Sequence, residues 1–311
     1  MYSLGMDIGG TNSVFGIVTE DGKIVKSGSV KTKEYNNFFD YVEAVCNGIH
    51  PLIEEVGGAG NISSFGIGAP NGNFYNGTIE LAPNLPWKGV LPLAQAFRDR
   101  LGIPVTVTND ANAAAMGEMA YGAARGMKNF IMITLGTGVG SGIIIDGKMV
   151  YGHDGFAGEL GHTTVVRDGR QCGCGKKGCL EAYCSAIGIV RTAREWLDGT
   201  DEPSALRSIE NFSSKDIYDA AKAGDALALR VFEYTGNILG RSFADFVAFS
   251  APEAIVLFGG LARAREFLYE PMLNAMNDNL LKIWRGKVKI LFSQLKESDA
   301  AILGASALAW D

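Results

Sequence analysis

Between Glu159 and Glu181 the chain reads ELGHTTVVRDGRQCGCGKKGCLE. This stretch gathers one histidine, His162, three cysteines, Cys172, Cys174 and Cys179, and a glutamate at each end. Three thiolates and one imidazole close a tetrahedral structural zinc site. Gly173, Gly175 and Gly178 suit a chain that must turn tightly to bring ligands to one point. The plain alternative is three small buried cysteines and a loop histidine. Cysteines separated by glycine and lysine do not read as core. With four ligands supplied, Glu159 and Glu181 are groups the loop positions, not ligands.

Two other segments are suited to phosphate. Residues 4–8 form an apolar strand that contains Asp7 and runs into Gly9-Gly10-Thr11-Asn12. Residues 130–135 form another, ending in Gly136-Thr137-Gly138-Val139-Gly140. Glycine lets backbone N–H groups converge on an anion, and threonine adds a hydroxyl donor. Asp7 is placed to hold Mg²⁺ through water. Either turn alone is as easily a structural hairpin; the pair carries more weight. Neither has the Gly-Lys-Ser/Thr of a Walker A loop, and neither is a GxGxxG opening a helix, because a strand follows each.

Asn109-Asp110 lies between a strand (105–108) and an alanine-rich helix (111–121). Asn and Asp are favoured helix N-caps. A carboxylate at a strand end can also serve as general base to a hydroxyl. Asn84 sits in Ala-Pro-Asn-Leu-Pro-Trp, inside a long Asn/Gly/Pro-rich loop over 71–90. It is either a turn residue or a hydrogen-bonding group, and Trp87 either an anchor or the cover of an apolar face. Gly259-Gly260 ends an apolar strand, as a strand-to-helix turn or as a bare surface for a flat base.

The elements that must position these groups show a repeat. Strand, Gly-Thr turn, strand, Asp-Gly-Lys hairpin and strand occur in that order twice, with Gly10 and Gly136 offset by 126 residues. The Asp-Gly hairpins supply the positive φ such turns need. A period this long is a duplicated β-β-β lobe, not a solenoid. Apolar spacing predicts a helix over 38–55, with Phe38, Tyr41, Val42, Val45, Ile49, Leu52 and Ile53 on one side. Beyond the zinc loop the chain turns mainly helical (180–197, 213–223, 226–249 and 267–283). Strands lie at 253–258 and 287–292. Small residues over 299–310 make a helix that another backbone can approach closely.

At 311 residues the chain suits two lobes. A net charge of −6 argues against broad nucleic-acid binding, which needs a basic face. No apolar run is long enough to span a membrane, and the N-terminus has no signal-peptide pattern. Three of five cysteines have metal spacing, which leaves Cys46 and Cys184 as buried small residues and suits a reducing cytoplasm.

GELGH with CGCGKKGCLE, the stretch 135–162, DIGGTN (7–12) and NDANAA (109–114) together resemble the ROK family of repressors, open reading frames and sugar kinases. The resemblance covers essentially the whole chain. It implies an α/β, actin-like ATPase (ribonuclease H-like) fold with two lobes, duplicated β-β-β cores and a cleft between them. Residues 1–120 with 299–311 would form the N-terminal lobe, and 121–298 the C-terminal lobe with the zinc loop and the nucleotide. It further implies an ATP-dependent hexose kinase acting on a 6-hydroxyl, with Asp110 as base. Asn84, Asn109, Asp110, Glu159, His162 and Glu181 would bind sugar. Gly9, Gly10, Thr11, Thr137 and Gly138 would line the phosphates, Gly259 and Gly260 adenosine, and Asp7 would organise Mg²⁺. His162, Cys172, Cys174 and Cys179 would hold structural Zn²⁺. APNLPW, NDANAA and GELGH look most like the glucose-specific kinases of the family, so glucose is the expected sugar. N-acetylmannosamine, N-acetylglucosamine, allose and fructose kinases are the alternatives. A sugar-responsive repressor of the family would carry an N-terminal helix-turn-helix, for which a chain reaching DIGGTN by residue 7 leaves no room. A homodimer is implied by the same resemblance.

Overall fold

A computed structural model describes residues 1–309; the end of the small-residue helix expected to reach Trp310 lies outside the described residues. The chain folds into two compact units. One comprises Met1–Lys128, Gly142–Gly158 and Ser293–Asp311, the other Asn129–Ser141 and Glu159–Phe292.

In the first unit β1 (Tyr2–Ile8), β2 (Ser13–Thr19) and β3 (Ile24–Val30) form an antiparallel meander. Helix α1 (Phe38–Glu55) follows, capped by Asn37, whose side chain accepts from the N–H groups of Phe39 and Asp40. Its buried face holds Phe38, Tyr41, Val42, Val45, Ile49 and Ile53, as the spacing predicts. Strand β4 (Ile62–Gly68) then pairs parallel to β1. The expected loop at 71–90 contains a small antiparallel sheet instead: β5 (Gly72–Asn73), β6 (Thr78–Glu80) and β7 (Val90–Leu91). Strands of two or three residues leave no readable alternation, so composition alone suggested a loop. Helix α2 (Leu93–Leu101), strand β8 (Val105–Thr108) and helix α3 (Asp110–Tyr121) complete this stretch, with β8 parallel to β4.

Next come β9 (Phe130–Leu135), β10 (Val139–Ile145) and β11 (Lys148–Met149). The helix expected over 180–197 is broken into α4 (Glu181–Cys184) and α5 (Ala186–Asp198) at Ser185, whose hydroxyl caps the second by accepting from Gly188 N–H. Then follow α6 (Ser214–Lys222), α7 (Ala226–Ser250), β12 (Ala254–Phe258), α8 (Arg265–Asn279), β13 (Lys289–Phe292) and α9 (Glu297–Ala307).

The two large sheets have the same topology. Their orders are β3-β2-β1-β4-β8 and β11-β10-β9-β12-β13, each with an antiparallel pair at the first edge and two parallel additions at the other. The duplicated core therefore extends beyond the β-β-β unit legible in the repeat.

The unit boundaries differ from the expected breaks at 120/121 and 298/299. The division runs through β10, because residues 142–158 pack with the first unit. A Cβ on Gly142 would stand 2.8 Å from Ala115 Cβ of α3. Asn73 Nδ2 donates to Asp154 O at 2.8 Å, and the Phe74 and Tyr151 rings stack 4.0 Å apart. The breaks could not be placed from a repeat that locates duplicated elements but not their packing partners.

Helix α9 returns to the first unit and lies against β1, β4 and α3 without intervening side chains. A Cβ on Gly66 would fall 1.9 Å from Ala305 O. Gly66→Ala should therefore cost about 1–3 kcal/mol or more through overpacking. Gly60→Ala, where a Cβ meets nothing within 4 Å, should stay within about 0.5 kcal/mol. Denaturant titration of both variants checks the contrast; equal effects would contradict this packing of α9.

Candidate active site and metal centre

In the first unit the parallel strands deliver their chemistry at one edge. Asp7 of β1 is in register with Gly68 of β4, and Gly68 with Thr108 of β8. Asn109 and Asp110 follow Thr108 directly, so the Asp7 and Asp110 carboxylates stand at the carboxyl ends of β1 and β8, the two strands that flank β4, at the usual ligand edge of such sheets. A Cβ on Gly68 would lie 3.5 Å from both Asp7 Oδ1 and Asp110 Cα. Glycine here lets the two acids share one corner.

Asn109 is the N-cap of α3: its Oδ1 accepts from Ala111 N–H at 2.8 Å. Its amide NH₂ stays free to donate to a ligand. Asp110 Oδ1 accepts from the same N–H. The cap reading of Asn109 holds, and the candidate base Asp110 stands directly beside it. Burial, with the neighbouring Asp110 charge, pushes the Asp7 carboxyl up to about 7. Burial also raises Asp110, opposed by the Ala111 N–H. Asp110 is nonetheless reached by solvent, which screens much of that push.

The turn after β1 is closed by Gly9 N–H donating to Asn12 O at 3.0 Å. It is braced below by Ser13 Oγ, 2.8 Å from Thr32 Oγ1 and 2.5 Å from Tyr41 Oη. The loop carrying Asn84 packs directly on it, since a Cβ on Gly10 would meet Asn84 O at 2.5 Å. Trp87 anchors that loop. Its indole is buried against Tyr41 and Phe38, with Nε1 donating to Tyr35 O at 3.0 Å. Trp87 is an anchor, and it leaves Asn84 exposed.

In the second unit Gly136-Thr137-Gly138 ends β9. Gly259-Gly260 ends the adjacent parallel β12, whose Phe258 is in register with Thr134. Gly259 has φ +103°, and a Cβ there would meet Leu135 O at 2.6 Å; Gly260 faces open space. The strand-to-helix turn and the bare surface are therefore one feature.

His162, Cys172, Cys174 and Cys179 bring their ligand atoms within 4.8 Å of one another. Cys174 and Cys179 Sγ lie 3.7 Å apart, and His162 Nδ1 is 3.8 Å from Cys172 Sγ. Tetrahedral zinc with Zn–S bonds near 2.3 Å places its sulfurs about 3.8 Å apart, so the residues fit the ion. Burial and the neighbouring sulfurs push the Cys179 thiol up to about 12. Thiols crowded in this way ionise together only beside a cation. Zinc would supply that charge and hold the loop closed.

The tight turns fall at Gly175 and Gly178, with φ +90° and +74°; a Cβ on Gly178 would meet Val166 O at 1.8 Å. Gly173 has neither constraint. Nδ1 of His162 points at the cluster and Nε2 toward Glu159, 4.0 Å from its Oε2. Glu181 is directed to Val139, where its Oε2 accepts the backbone N–H at 2.9 Å. Cys46 and Cys184 are buried free thiols, as expected.

Arg170 carried no legible signal in the sequence. Buried beneath the metal loop, it donates to Ala182 O, Gly188 O, Thr192 Oγ1 and Glu195, and lies 4.4 Å over the Tyr183 ring. It joins the loop to α5 through partners 12 to 25 residues away, a pairing no local spacing reveals.

Two outcomes are expected. The purified protein should contain about one zinc per chain, and Cys174→Ser should lose it; elemental analysis finding no zinc in the parent protein would remove the metal centre. Asp7 has its pKa raised in the fold, so its charge destabilises the protein increasingly as pH climbs from about 4 to 7. Asp7→Asn should therefore gain on the parent by on the order of 1–2 kcal/mol more at pH 8 than at pH 5. Denaturation midpoints in metal-chelated buffer measure this, and a pH-independent difference would rule it out.

The ROK family model matches residues 3–311. A glucokinase of Thermotoga maritima is 36% identical over 310 residues, covering 98% of this chain and 96% of the relative. A glucokinase of Streptomyces coelicolor is 35% identical over 315 residues, covering 99% and 97%. The crystal structure of a ROK family glucokinase from Streptomyces griseus, in complex with glucose and AMPPNP, superposes with a TM-score of 0.81 at 35% identity, covering 100% of this chain and 99% of that one. ROK sugar kinases have the actin-like ATPase fold, to which the duplicated sheets conform. With residues 3–311 matched by the family model, and His162, Cys172, Cys174 and Cys179 converged as a metal site requires, the chain belongs to the ROK family.

Proposed function

We propose that the protein is an ATP-dependent glucose kinase that phosphorylates the 6-hydroxyl. The observation that carries this is Asp110, a carboxylate with raised proton affinity at the strand edge beside Asp7 and the Gly9–Asn12 turn. Binding sugar alone needs neither a glycine-threonine turn nor a second acid beside the base. The relatives named glucokinase, and the one in complex with glucose and AMPPNP, support the choice of sugar and donor.

Asp110 accepts the proton of the 6-hydroxyl as its oxygen bonds to the γ-phosphorus and the bond to the ADP oxygen breaks. Catalysis then rests on positioning and charge stabilisation. Asn109 donates through the amide that its cap leaves free. Asn84, Glu159, His162 and Glu181 complete the sugar contacts. His162 presents Nε2 while Nδ1 serves the metal. Gly9, Gly10, Thr11, Thr137 and Gly138 receive the phosphates, and Gly259 and Gly260 leave room for adenosine. Mg²⁺, when bound with the nucleotide, neutralises phosphate charge, and Asp7 is the carboxylate that would orient its water shell. His162, Cys172, Cys174 and Cys179 would give zinc four protein ligands, leaving it a structural part.

The lobes correspond to the two compact units. Among the described residues no helix is long and apolar enough to cross a membrane. The thiol-rich metal loop suits a reducing cytoplasm. A homodimer is the assembly the family resemblance favours, which light scattering measures directly.

An ADP-release assay with Mg·ATP and glucose, mannose, fructose, allose, N-acetylglucosamine and N-acetylmannosamine tests the reading. Glucose should give the highest kcat/KM. Asp110→Asn should lower kcat by about 10²–10⁴-fold while still binding glucose in calorimetry. Turnover retained in that variant would remove Asp110 as base, and preference for another sugar would reassign the substrate.

A further inference from the structure

The glutamate that closes the metal loop also supports the second glycine-threonine turn. Glu181 stands two residues after the metal ligand Cys179 and opens α4. Its Oε2 accepts from Val139 N–H at 2.9 Å, and a Cβ on Gly138 would stand 2.3 Å from that same oxygen. A few residues on, Ala186 N–H donates to Gly136 O at 2.8 Å. The turn is thus held at both ends by the chain that leaves the metal centre.

Inside the turn, Gly136 N–H donates to Gly138 O, and Gly140 N–H to Thr134 Oγ1. With Val139 N–H taken by Glu181, the N–H groups of Thr137 and Gly138 are the ones with no acceptor among the described residues. Those are the two residues assigned to phosphate. A glycine-rich turn has many backbone states, and ordering it at the moment of binding weakens affinity. A carboxylate accepting a backbone N–H is among the stronger fasteners of such a turn.

We propose that Glu181 is a positioning residue for the phosphate turn, orienting Gly136–Val139 so that nucleotide affinity depends on it even when no sugar is present. The inference rests on the reading of that turn as phosphate-binding. It gives Glu181 a role separate from sugar contact, and it ties the metal loop to the nucleotide as well as to the sugar.

The test is calorimetric titration of Mg·AMPPNP into the zinc-loaded protein without sugar. Parent, Glu181→Gln and Glu181→Ala are compared, with zinc content and thermal transition measured on each. Glutamine keeps an oxygen for the Val139 N–H without the charge, so its Kd should stay within about threefold or tighten. Alanine should weaken binding about tenfold, the equivalent of about 1.4 kcal/mol. Should the alanine variant fold poorly, Val139 amide exchange in Glu181→Asp serves instead: it should quicken as the shorter side chain lets go. Nucleotide affinity unchanged in Glu181→Ala, an equal loss in both variants, or unaltered Val139 exchange in Glu181→Asp would each overturn the proposal. Failure of the parent protein to bind Mg·AMPPNP would instead remove the phosphate reading of the turn, and this inference with it.

Discussion

Three thiols and an imidazole brought within 4.8 Å of one another cannot ionise together without a cation. The metal loop has little apolar surface of its own, and two of its turns require backbone that only glycine adopts easily. Metal coordination would close it. From that closure follow the direction of His162, the placement of Glu159 beside its free nitrogen, and the reach of Glu181 to the turn after β9. Arg170 supports the same loop from below, with its charge answered by Glu195 and its donors by carbonyls and Thr192. A buried guanidinium is tolerated there because its hydrogen-bonding capacity is well matched.

The second constraint is backbone access. Anions are held by N–H groups, so the chain must offer bare backbone where parallel strands end. Both large sheets do this at the same topological place, with glycines following β1 and β9. The loop carrying Asn84 and the residue Glu181 each approach such a turn where any side chain would obstruct them. Duplication explains why one solution appears twice, and divergence why the first copy has Asp7 and Asp110 beside it where the second receives Glu181.

Those acids carry a cost. Asp7 and Asp110 sit close enough that each charge opposes the other, and burial raises both. Nothing in the hydrophobic core needs them. A base must hold a proton well enough to take it from a hydroxyl, and a site for a divalent cation must be electronegative before the cation arrives. The same proximity that destabilises the apoprotein would prepare both proposed functions, a common trade between stability and activity.

Much of this was legible in the residues. The metal set, the two glycine-threonine turns and the Asn-Asp pair announce themselves because their chemistry depends on residue type and short spacing. The helical face of α1 and the repeated hairpins are visible for the same reason, since they obey local periods. Other features depended on partners distant in the chain. The three short strands at 72–91 have no period to detect. The assignment of residues 142–158 to the first unit rests on Gly142 against α3 and Asn73 on Asp154. Trp87 was equally an anchor or a ligand cover until Tyr41, Phe38 and the Tyr35 carbonyl surrounded it. Glu181 showed as a carboxylate flanking the metal loop and, by resemblance, as a sugar contact; its hold on Val139 joins residues 42 positions apart. The sequence by itself determined which groups are present and the local elements that bear them, because those follow from side-chain chemistry and near-neighbour sterics. Only the tertiary structure decided which groups meet and which face stays open, because burial and hydrogen bonding between distant segments are properties of the packed chain.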